Sequence, residues 1–107
     1  GRPFFYFAYG VAVTEAAMVF FPAILFPASG GEPAGCVVPG PNINAGGGDD
    51  AAALNDAVEV LQALFAEADA AGEPRPQPAT LAAAQAEIVA LGGQLVWLPA
   101  LDPAEAA

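Results

Sequence analysis

The sequence predicts a mainly α protein with one N-terminal transmembrane helix, a Gly/Pro-rich linker and a small acidic helical hairpin. Three observations carry this reading. Residues 4–27 form an apolar run interrupted by one charge, Glu15. Apart from Glu15, every acidic residue of the 107-residue chain lies at or beyond Glu32. Two later stretches repeat apolar residues at spacings of three and four, the period of an amphipathic helix.

The assigned parts are a transmembrane helix over 1–28, a linker over 29–48, a helical hairpin with a short terminal strand over 49–98, and an acidic tail over 99–107. At about 1.5 Å per residue the first apolar run reaches about 36 Å, more than the roughly 30 Å hydrocarbon core of a bilayer. Aromatic residues gather at both ends, including Tyr6 and Tyr9 early and Phe20, Phe21 and Phe26 late, as interfacial belts favour. Arg2 outside the entry end and the acids beyond the exit place the N-terminus on the cytoplasmic or stromal side.

Residues 28–48 are dense in Gly and Pro, with a short apolar stretch at Cys36, Val37 and Val38, and read as linker or surface loop. Asp49 or Asp50 then offers an N-cap. Leu54, Ala57, Val58, Leu61, Leu64, Phe65 and Ala68 follow on one helical face, ending near Gly72. Asn55, Asp56, Glu59, Gln62 and Glu67 form the opposite, solvated face. The proline-rich stretch 72–78 is a connection. Thr80 caps a second helix whose apolar face holds Leu81, Ala84, Ile88 and Leu91, and Gly92 and Gly93 stop it. Residues 94–98 read as a brief strand. Two such helices bury little area by themselves, so they are expected to dock on a partner.

Composition narrows the chemistry. The net charge is −10, with no histidine and only two basic residues, Arg2 and Arg75. Phosphate neutralisation needs Lys and Arg, so nucleic acid is excluded as a partner, and a basic protein suits the acidic C-terminal region. Without histidine the usual general base and the commonest metal ligand are absent, and a non-catalytic role is expected. Cys36 is the single cysteine, which excludes an intrachain disulfide and a cysteine zinc cluster.

Glu15 is the most informative position for a membrane reading. An acid at mid-membrane costs roughly 2.5–3.5 kcal/mol on insertion scales and needs a partner, either a neighbouring helix or a bound cation. The magnesium of a chlorophyll requires an axial donor, and Glu15 is the side chain best suited to it. Pro22 lacks an N–H, so within a helix it frees the Met18 carbonyl, and Glu15 and Met18, three residues apart, share a side.

Phe20-Phe21-Pro22, followed by Leu25-Phe26-Pro27 and preceded by Glu15, resembles the single-span J subunit of photosystem I, also called subunit IX. The resemblance covers the apolar N-terminal segment. It implies a non-catalytic small subunit of a photosynthetic membrane complex that packs against larger membrane subunits and the lipid bilayer. Glu15 would ligate chlorophyll magnesium, with Met18, Phe20 and Phe21 helping to bind chlorophyll or carotenoid. The location implied is the thylakoid membrane, with the N-terminus stromal and the C-terminal region lumenal.

Two other readings remain. One is a structural subunit of a pigment-free membrane complex. The other is a soluble α/β domain of sulfur-relay or small-ligand-binding type, with a strand over 4–8, a short helix over 11–21 and a strand over 23–26. In that reading FFYFAYGV and residues 79–99 are similar to the first strand and the closing helix and strand of DsrE-like sulfur-relay proteins. That family uses a cysteine near the last strand, where this chain has none.

Overall fold

A computed structural model describes residues 5–8, 11–14 and 18–101, and the side chains of 19–100. The architecture is mixed α and β rather than mainly α: a four-stranded antiparallel sheet with two helices, and a separate two-stranded ribbon. Among the described residues no helix is long and apolar enough to cross a membrane. This overturns the transmembrane helix and, with it, the membrane-complex and thylakoid assignments that rested on it.

The apolar run instead supplies strands. Strands β1 (Phe5–Ala8) and β2 (Val11–Thr14) pair antiparallel as the ribbon. Strand β3, Met18–Phe26, belongs to the main sheet. Its residues Val19, Phe20, Phe21, Ile24 and Phe26 are the β-branched and aromatic types that suit a pleated surface. Pro22 inside a helix costs about 3 kcal/mol, whereas a strand accepts it where no ladder bond is needed.

β3 meets β4 (Ala34–Val38) only over Ile24–Phe26, so Pro22 lies beyond that ladder. On its other side β3 pairs with β6 (Gln94–Leu101), placing Pro22 opposite Trp97 and Pro99 opposite Phe20. Backbone donors alternate sides along a strand, so one register turns both prolines away from the β3–β6 seam. The hydropathy signal misled for a physical reason. Phe21, Ala23 and Ile24 are successive in burial on both faces of β3, each 0% exposed, and a strand covered on both faces reads as a continuous apolar run.

The expected linker also carries sheet. β3 and β4 are joined through a tight turn in which Ser29 and Glu32 exchange backbone hydrogen bonds of 3.1 and 2.8 Å. Gly30 and Gly31 both adopt positive φ there, the requirement of a two-residue hairpin loop of the mirror-image type. β4 then pairs with β5 (Ile43–Gly47), giving the sheet order β5-β4-β3-β6.

Helix α1, Asp50–Ala71, crosses one face of this sheet. Its N-cap is Asp49, whose side chain accepts from the Ala52 N–H, and its C-cap is Gly72 in the left-handed region. Ala53, Ala57, Leu61 and Phe65 meet Phe21, Ala23, Cys36, Val38, Ile43, Leu98 and Ala100 in one close-packed core. The face spaced for burial in the sequence is therefore the face that packs.

Helix α2, Leu81–Leu91, is capped by Thr80 and ends at Gly92. It does not pair with α1 as a hairpin; it packs against β3 and β6. Pro22 and Ile24 point away from the α1 side and are nonetheless fully buried, as is Ala84 of α2. α2 thus covers part of the second sheet face.

Candidate functional site

Of the residues expected to hold a pigment, Phe20 and Phe21 lie on opposite faces of β3. Glu15 lies outside the described residues. Met18 begins β3 opposite Leu101, so its carbonyl belongs to a strand and is not released by a proline within a helix. Phe21 is sealed in the core, with its ring 5.9 Å from that of Phe65 at 64°. Phe20, its chain neighbour, points to the opposite sheet face and is 47% exposed. Alternation along β3 therefore separates two residues that a helix would have kept nearer to one side.

Cys36 sits at the centre of β4 with no exposed surface. Burial pushes its thiol up from 9.0 to about 11, because the thiolate would lose its hydration. A nucleophilic or sulfur-carrying cysteine needs the opposite environment, with access and a stabilised thiolate. Among the described residues no group of three or more His, Cys, Asp or Glu is placed to hold a metal ion.

The start of α1 resembles an anion cradle only in outline. Gly46, Gly47 and Gly48 lead from β5 into the helix, and a shallow depression of about 380 Å³ lies between Gly48 and the Ser29–Glu32 turn. The positive end of a helix attracts anions, but here the chain supplies its own. Asp49 accepts from the Ala52 N–H at 2.8 Å, and Asp50 accepts from the Ala28 N–H at 2.8 Å. The Asp49 carboxylate occupies the place that a phosphate would need, at the first-turn N–H of α1. Asp56 adds a third carboxylate nearby, accepting from the Gly46 N–H at 3.2 Å.

What remains open is the second sheet face. The register puts Phe20 opposite Pro99 and Trp97 opposite Pro22, so Phe20 and Trp97 are diagonal neighbours on that face. Trp97 is 50% exposed, and Leu95 lies beside it on the same side of β6, also exposed. α2 covers Ile24 but leaves its own Val89 and Leu91 largely in solvent. β6 is also an edge strand, where Pro99 removes one donor from the rim. The periodicity predicts Leu91 on the apolar face of α2, where it is 63% exposed, and predicts only a brief strand around Trp97. Neither expectation anticipates this patch, because membership of a sheet face depends on the β3–β6 register.

No protein family, curated protein or solved structure matches the chain.

Proposed function

We propose that the chain is a small non-catalytic α/β binding domain that docks on a partner protein through the β3–β6 face. The observation that supports this is the diagonal pair Phe20 and Trp97, about half exposed on a sheet whose other face is closed by α1. Aromatic side chains of this kind anchor protein interfaces, because a large rigid ring gains burial at little entropic cost. Singly exposed apolar residues are common, but Phe20, Leu95 and Trp97 form a contiguous group.

The partner is a different protein rather than a second copy. A chain with net charge −10 repels itself, and a basic partner gains from the same field. Of the two branches of the α/β reading, burial of Cys36 favours binding over sulfur relay.

Photocrosslinking from position 97 tests this reading. A benzophenone amino acid is placed at position 97 or, as control, at Glu59, an exposed residue on α1. The expected result in cells that make the chain is one discrete heteroadduct from position 97 and none from position 59. Equal adducts from both positions, or none from position 97, would overturn it.

A further inference from the structure

The carboxyl end of α1 carries the charge that a helix end disfavours. The macrodipole makes this end negative, and cations stabilise it. Yet the last turn holds no basic residue, while Glu67, Asp69 and Glu73 cluster about it. Arg75 compensates in part. Its Nε and Nη2 donate to the two carboxylate oxygens of Asp69, each at 2.8 Å, and its guanidinium lies 5.5 Å from the centre of the Phe65 ring. The side chains of Glu67 and Glu73 make no hydrogen bond or ion pair with any described residue.

These two carboxylates stand over a groove of about 290 Å³, whose apolar wall includes Leu64, Ala68, Pro74 and Pro76. That volume lies just below the roughly 300–1,000 Å³ range of small-molecule sites, which favours one side chain over a cofactor. The Glu73 N–H bonds the Ala68 carbonyl at 2.9 Å, closing the cap, and the Arg75–Asp69 pair fixes the middle of the proline-rich strap, residues 72–78. Further on, the strap lies against the β4–β5 turn at Gly40, where an added Cβ would fall 2.6 Å from the Gln77 carbonyl oxygen. Prolines along the strap restrict it further, so little order has to be gained on binding.

We propose that this groove receives an arginine or lysine side chain from a basic segment of a partner protein. The aliphatic stem lies on Leu64, Ala68 and the prolines, and the cationic head sits between Glu67 and Glu73 at the negative end of α1. A charge with an apolar stem matches both parts of the groove. The inference goes beyond the docking face, because the groove lies on the α1 side of the sheet.

The probe is a short peptide with two arginines separated by one leucine, titrated at low ionic strength while backbone amide resonances are followed. Shifts centred on Glu67, Ala68 and Glu73 are expected, and the same peptide with citrulline for arginine is expected to give none. Glu67→Gln combined with Glu73→Gln weakens binding at least tenfold, whereas Glu59→Gln changes it less than twofold. Trp97→Ser leaves the peptide affinity unchanged, so failure at the groove and failure at the docking face are read separately. Absence of binding, shifts centred elsewhere, or equal weakening by Glu59→Gln would overturn the proposal. The unperturbed amide spectrum of each variant shows that it is folded.

Discussion

Phe21 of β3 and Phe65 of α1 meet edge to face, with ring centres 5.9 Å apart and planes at 64°. Both rings are buried, and together they tie the strand formed by the apolar run to the helix formed by the acidic half. Truncating either one leaves a cavity. Phe21→Ala and Phe65→Ala are each expected to cost about 3–5 kcal/mol. The double-mutant cycle is expected to show a coupling of about 0.5–1.5 kcal/mol beyond area burial. Chemical denaturation of the four proteins measures both, and additive losses would show that the rings do not meet.

Cys36 makes stability depend on alkaline pH. In the folded chain its thiol stays neutral up to about 11, while in the unfolded chain it ionises near 9.0. The unfolded state then binds fewer protons between those values, so stability is fully present below about pH 9 and falls as pH rises toward 11. Denaturation midpoints across this interval are expected to decline in the native chain and to decline less in Cys36→Ala. A thiol reagent at pH 8 is expected to react only after denaturant is added, and immediate reaction would contradict the burial.

The helix caps give local tests. Asp49→Ala removes the acceptor for the Ala52 N–H, and Thr80→Ala removes the acceptor for the Ala83 N–H. Each is expected to lower stability by about 1 kcal/mol. Gly47→Ala acts differently, since a Cβ there would lie 2.5 Å from the Ala52 Cβ and force β5 away from α1. Thermal denaturation is expected to rank Gly47→Ala below both cap variants.

Phe20→Ser and Trp97→Ser separate binding from folding. About half of each side chain is already in water, so stability is expected to change by less than about 1 kcal/mol. Phe20→Ser is expected to abolish the heteroadduct formed from position 97, and Trp97→Ser is expected to abolish binding of the partner that the heteroadduct identifies. A large loss of stability would mean that the pair supports the fold and is not held out for contact.

The two helices and the closing strand that begins at Gln94 were legible in the sequence, while the rest of the sheet was not. Asp49, Gly72, Thr80 and Gly92 mark ends by local chemistry, and α1 shows its buried face at Ala57, Leu61 and Phe65 through spacing alone. Sheet membership depends instead on distant partners. Phe21 needs Leu98 opposite it and Phe65 above it, and neither is visible from residues 4–27. The glycines that suggested a linker serve the hairpins: Gly30 and Gly31 make the turn that sends β4 back along β3. The exposed pair Phe20 and Trp97 comes from opposite ends of the chain and is joined only by register. Their identities gave no sign that they would be neighbours.

The most direct test of the docking face uses the chain's single tryptophan. With 5-fluorotryptophan at position 97, the fluorine resonance reports that ring alone in the free chain and in the complex with its captured partner. In the complex the resonance is expected to be shifted and protected from a soluble paramagnetic agent, and in the free chain it is expected to be accessible. An unshifted, equally accessible resonance in both would contradict the docking face.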